Sequence, residues 1–140
     1  MKYYNGKIET MSVDEMKELQ NQRLRATVDR CYNTIPYYRG LFDKAGLEPK
    51  HIQTTDDLIR FPTTEKKDLR ALYPFPVLGF KPQEIYRFAA TTGTTGMPVV
   101  IGFTKKDWFE TLRDQMGRKF VMWGIGPGDI VYQGYGLGLW

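Results

Sequence analysis

One cysteine and one histidine among 140 residues close off several kinds of chemistry. The single thiol, Cys31, can form no internal disulfide, and zinc sites built on two or more cysteines are excluded. A reducing compartment suits such a chain, so a cytoplasmic location is expected. His51 stands in a polar stretch between Lys50 and Ile52 with no second ligand beside it. It reads as an exposed loop residue, and no metal-ligating set is expected. No apolar run approaches membrane-spanning length, so no membrane partner is expected. Residues 1–10 mix Tyr, Asn, Gly, Lys and Glu and do not form the apolar core of a signal peptide. Concentrated charge is missing too. The net charge of +4 comes from basic residues scattered among acids, such as Arg23, Arg25, Lys66 and Lys105. A nucleic-acid surface carries a basic stripe, and no such partner is expected.

What is plentiful is aromatic and helix-forming. Residues 1–11 read as a polar, extended arm. Ser12 with Glu15 three residues on is a capping box, opening a helix to about Asn33. Leu24, Val28, Cys31 and Ile35 recur at spacings of four, three and four, one buried stripe that absorbs Cys31 as core. Pro36 stops that helix, and a second, shorter one runs from there toward Gly46. A third fits Thr55 to Arg60, with Asp56 and Asp57 favoured by the dipole of its first turn. Phe61-Pro62 breaks it, Thr63 or Thr64 caps a fourth ending at Leu72, and Tyr73-Pro74-Phe75-Pro76 forces an extended connector.

The pattern changes near Gln83. Ile85 to Ala90 and Pro98 to Phe103 have strand composition. Thr104 with Asp107 opens a helix whose stripe of Trp108, Leu112, Met116, Phe120 and Trp123 reads as core, with Gly124 as terminator. Ile130-Val131-Tyr132 reads as a third strand. Helix between strands gives an α/β fold class. The expected domains are a helical subdomain at 1–81 and the start of a nucleotide-binding α/β domain at 82–140.

Between the first two strands lies the stretch of greatest chemical interest, Thr91-Thr92-Gly93-Thr94-Thr95-Gly96. Glycine permits positive φ and close approach, and threonine supplies hydroxyls. Successive backbone N–H groups in such a turn form an anion-binding nest. The composition suits phosphate oxygens, although Gly/Thr hairpin turns without a ligand are also common. An ordinary P-loop is excluded, because Gly96 is followed by Met97 rather than by Lys and Ser/Thr. The glycines after the third strand fail the dinucleotide fingerprint at Leu139.

Thr92-Gly93-Thr94-Thr95-Gly96-Met97-Pro98 resembles the first nucleotide-binding motif of the adenylate-forming enzymes, Ser/Thr-Gly-Thr-Thr-Gly-Lys-Pro. The closest likeness is to the phenylacetate–CoA ligase family. Four further stretches carry it: residues 30–39, residues 58–70, Tyr73-Pro74-Phe75 and Gly134-Tyr135-Gly136-Leu137. The resemblance implies a ligase that uses ATP, Mg²⁺ and coenzyme A to activate an aryl-acetic carboxylic acid as its acyl-adenylate and pass it to the thiol. It places the ATP phosphates on Thr91, Thr92, Gly93, Thr94, Thr95 and Gly96, and the acyl pocket at Tyr135 and Gly136. It puts no catalytic residue in this stretch. Met97 departs from the motif's lysine; the change either weakens ATP binding or leaves that charge to Lys105 or Lys106. Val99 replaces a second lysine common in the superfamily, and Gly138 and Leu139 also depart from the pattern.

The chain reads as an N-terminal fragment of such an enzyme, inactive and poorly soluble alone. Two alternatives stay open: a noncatalytic docking or homodimerising module, and a ligase of the same branch acting on another acid or a deazaflavin coenzyme. A small nucleotide-sensing domain is a third.

Overall fold

The computed structural model describes residues 2–73, 79–93 and 96–134. Its helices are α1 (Gly6–Glu9), α2 (Val13–Thr34), α3 (Pro36–Lys44), α4 (Lys66–Ala71) and α5 (Arg113–Met122). Its strands are β1 (Ile85–Ala90) and β2 (Val100–Thr104). Short 3₁₀ helices occupy Pro49–His51, Thr55–Arg60 and Pro82–Glu84. The chain divides into two compact units: Ser12–Pro82, and Met1–Met11 with Gln83–Trp140.

In the first unit α2 starts where the sequence places it. The Glu15 N–H donates to Ser12 Oγ at 3.3 Å, and the Ser12 N–H donates back to Glu15 Oε2 at 2.9 Å. Pro36 sits at the start of α3, where its missing N–H costs no helix bond. Val28, Phe42, Leu47 and Ile52 form the core, with Leu24, Tyr32, Tyr38, Leu41 and Phe61 around it. Phe42 is its hub. Phe61 meets it edge-on at 5.0 Å between ring centres, and Tyr32 stacks at 6.2 Å. Ile35 is buried as expected, whereas Cys31 is half-buried, and desolvation pushes its thiol above the usual range. A raised thiol holds less thiolate and is less nucleophilic, in keeping with packing.

Two local readings are corrected in this unit. The fourth helix is capped by Glu65, not by Thr63 or Thr64, because the Glu65 N–H donates to Asp68 Oδ2 at 2.8 Å. His51 is no free loop residue: half-buried, it ends a 3₁₀ turn and its Nδ1 accepts the Glu48 N–H at 2.9 Å. Next to it Ile52 is fully buried, an isolated apolar residue with no periodic neighbours to announce it. The connector at residues 73–76 lies outside the described residues from Pro74 onward.

In the second unit β1 and β2 pair antiparallel, with Ala90 opposite Val100 and Phe88 opposite Gly102. The register slips between Ile85 and Arg87, which makes Tyr86 the extra residue of a bulge. Its ring lies 5.2 Å from that of Phe109. Thr104 opens the following helix as expected, its N–H donating to Asp107 Oδ2 at 3.0 Å. The first turns, Asp107–Leu112, are wound as a π-helix before α5 continues. Gly124, at φ +82, follows its end.

Here too the structure differs from expectation. Residues 6–9 are helical rather than extended, because Asn5 caps them by accepting the Ile8 N–H. That arm lies on α5: Asn5 Nδ2 donates to Asp114 Oδ1 at 2.8 Å, and Tyr4 fills the space over Gly117. The α5 stripe is not a closed core, since Met116 and Trp123 are 41% and 61% exposed. Ile130-Val131-Tyr132 forms no strand. Ile130 is 99% exposed, and a strand exists only where a neighbour accepts its ladder. The described chain is nonetheless of mixed α/β composition, helix-rich with one small antiparallel sheet.

Candidate functional site: the loop between the strands

The two strands of the hairpin deliver the Gly/Thr stretch to its tip. The ladder's last backbone bond runs from the Thr91 N–H to the Val99 carbonyl at 3.0 Å. The reciprocal bond is made differently. The Val99 N–H donates to Thr91 Oγ1 at 3.0 Å, so a side chain stands in for the Thr91 carbonyl and pairing ends there. Val99 is buried beneath the loop, 7% exposed.

Above that base the chain turns at Gly93, whose φ is +70. A Cβ there would lie 2.9 Å from the Gly96 carbonyl oxygen and 3.0 Å from Pro98 Cγ. Both φ and space therefore demand glycine. The Gly96 N–H donates to the Gly93 carbonyl at 3.0 Å. Thr92 is exposed at the turn's start. Of the expected phosphate-binding residues, Thr91, Thr92, Gly93 and Gly96 are thus brought together at one hairpin tip. Thr94 and Thr95, and the acyl-pocket pair Tyr135 and Gly136, lie outside the described residues.

The charge missing at Met97 is not supplied by Lys105 or Lys106. Both follow β2, and the loop precedes it, so five residues separate them from the loop along the strand. At ~3.3 Å per residue this is roughly 15 Å, beyond a lysine's reach. They line instead a cleft of about 560 Å³ with Gln83, Tyr86 and Thr104, at the opposite end of the hairpin. Arg87, on β1, lies over the Trp108 ring at 4.5 Å. Among the described residues no three of His, Cys, Asp or Glu gather as a metal's donor set. Nor is any helix among them long and apolar enough to cross a membrane.

Sequence reading missed the Thr91–Val99 bond. Its signal was a threonine and a β-branched residue placed symmetrically about a glycine turn, one pair past the strand ends.

Comparison with known proteins agrees with this architecture. No protein-family model matches the chain. The chain is 38% identical over 136 residues to a phenylacetate-coenzyme A ligase of Thermus thermophilus, covering 97% of this chain and 30% of that protein. It is 40% identical over 132 residues to that of Escherichia coli K12, covering 94% of this chain and 30% of that protein. In structure it matches a 2-hydroxyisobutyryl-CoA ligase, crystallised in complex with 2-HIB-AMP and CoA, with a TM-score of 0.79 and 30% identity. The match covers 92% of this chain and 28% of that one. The chain spans about three-tenths of the length of the relatives it matches. In sequence the chain is thus similar to about three-tenths of a phenylacetate–coenzyme A ligase, and in fold to the matching part of a coenzyme A ligase.

Proposed function

We propose that the loop of residues 91–96 holds the β- and γ-phosphates of ATP in an acid–coenzyme A ligase, with an aryl-acetic acid as substrate. The single observation that carries this reading is Gly93, held at positive φ with no room for a Cβ, at a threonine-bearing hairpin tip. Such a turn exposes backbone N–H groups and hydroxyls to an anion while keeping side chains out of its way. The family supplies the reaction. The acid's carboxylate oxygen bonds to the α-phosphorus as the bond to the bridging oxygen breaks, releasing pyrophosphate. Coenzyme A thiolate then adds to the acyl carbon, and AMP leaves with the electron pair.

The contribution proposed for this stretch is to orient the departing pyrophosphate and stabilise its growing charge. Mg²⁺, when bound with the nucleotide, would supply further positive charge to the departing pyrophosphate. Tyr135 and Gly136 are proposed to border the acid, where an aromatic edge and a side-chain-free wall suit a flat ring. Domain roles follow the same line: residues 82–140 begin the nucleotide-binding part, and residues 1–81 precede it.

Restoring the motif's cation tests the reading. Met97→Lys should tighten ATP binding about fivefold at low salt, an effect that fades as ionic strength rises. Calorimetric titration of the wild-type and substituted chains with ATP reads it. An affinity left unchanged by Met97→Lys contradicts a phosphate seated at this loop.

A further inference from the structure

We infer that Thr91 is a positioning residue of the loop: it fixes the loop's base through Val99 and does not itself grip phosphate. The inference rests on the phosphate-loop reading above and assigns one of its six residues a different task.

The geometry carries it. At the last pair of the hairpin an ordinary ladder would exchange two backbone bonds between Thr91 and Val99. One is present, from the Thr91 N–H to the Val99 carbonyl at 3.0 Å. For the other, Thr91 Oγ1 replaces the Thr91 carbonyl and accepts the Val99 N–H at 3.0 Å. That exchange has two consequences. The Thr91 carbonyl is released from pairing, so the backbone can leave the sheet within two residues and reach positive φ at Gly93. The Val99 N–H, on a residue only 7% exposed, keeps a partner that it would otherwise lack. The same hydroxyl is half-buried at the base of the turn, whereas Thr92 is exposed at its start. Thr91 thus ends the strand, and Thr92 begins the surface offered to a ligand.

The wedge between Gly93, Gly96 and Pro98 makes this base consequential. A Cβ at Gly93 would already meet Gly96 O at 2.9 Å and Pro98 Cγ at 3.0 Å, so the turn leaves no space for a side chain there. A slip of the Thr91–Val99 pair moves the N–H groups that face the anion.

The test uses the ¹⁵N-labelled chain with Thr91→Val, which keeps the shape and removes the acceptor, and Thr91→Ser, which keeps the acceptor. In the absence of ligand, Val99 amide exchange should accelerate about tenfold in Thr91→Val and return near the wild-type rate in Thr91→Ser. Tripolyphosphate affinity, read from the Gly93 and Gly96 amide shifts, should fall about fivefold in Thr91→Val and recover in Thr91→Ser. Unchanged Val99 exchange in Thr91→Val overturns the inference. So does a large loss of tripolyphosphate affinity with Val99 protection intact, which would make the hydroxyl a direct ligand. A wild-type chain that binds no tripolyphosphate contradicts the phosphate-loop reading instead, while Val99 exchange still decides whether Thr91 holds the base.

Discussion

The two units bury their apolar residues very differently. Among the described residues, the helical unit holds five of the six buried hydrophobics, Val28, Ile35, Phe42, Leu47 and Ile52. The hairpin unit holds only Val99. Yet the second unit is no poorer in apolar groups: Phe109, Met122, Trp123, Ile130 and Tyr132 are all on its surface. The helical unit closes on itself around Phe42, which joins α3 to α2 and to the Phe61 segment. The hairpin unit instead takes its order from hydrogen bonds at chain turns and from the close fit around Gly93. One region is stabilised by burial and the other is shaped for a surface.

Mutation should separate the two regimes. Phe42→Ala removes the hub of the only closed core among the described residues and should cost about 3–5 kcal/mol of unfolding free energy, read by urea denaturation. Ile130→Ala, in the other unit, should stay within about 0.5 kcal/mol by the same assay. Equal losses would erase the contrast. Gly93→Ala comes next. It forces a Cβ into a positive-φ position already occupied by the Gly96 carbonyl, costing about 1–3 kcal/mol of local order. Faster exchange confined to residues near 91–99 is the expected readout, and a uniform effect across both units would break the comparison.

Smaller effects sharpen it within the helical unit. Ser12→Ala should lower stability by about 1 kcal/mol, through loss of the α2 cap. The smallest effect is pH dependence at Asp57. Its carboxylate accepts the Gln53 and Thr54 N–H groups, both at 2.9 Å, and these bonds hold it below its ordinary value of 3.8. A depressed folded value contributes stability above the unfolded value and loses it as pH falls through the folded one. In an acid titration, wild type and Asp57→Asn should therefore differ by a steady amount well above pH 3.8 and converge as pH falls past it through the lower folded value. Parallel curves would show that the bonds do not matter.

Much of this was legible in the chain. Ser12 with Glu15 and Thr104 with Asp107 announced two helix starts, because a side chain three residues on can satisfy an orphan N–H. The same device recurs at Glu48 with His51, Thr54 with Asp57 and Glu65 with Asp68, where Asp or His replaces the familiar Glu. Counting those residues as reach-back acceptors would have corrected the α4 cap and given His51 its task. Strands β1 and β2 and the loop between them were likewise readable from β-branched and aromatic composition around a glycine turn. What escaped were features that depend on distant partners. Ile52 is buried although it is isolated in sequence, and Ile130 to Tyr132 carry strand composition without a ladder. The arm at Tyr4 and Asn5 lies on Gly117 and Asp114, more than a hundred residues away. At the candidate site the residue types announced the chemistry, but only the fold separated the hydroxyl that ends the strand from the one beyond it.

The most direct test of the phosphate-loop account is an amide map of the ¹⁵N-labelled chain titrated with Mg·ATP and, in parallel, with adenosine. The account predicts saturable shifts at Thr92, Gly93 and Gly96 with ATP, absent with adenosine and little felt in the helical core around Phe42. Shifts centred on Lys105 and Lys106, or equal responses to ATP and adenosine, would contradict it.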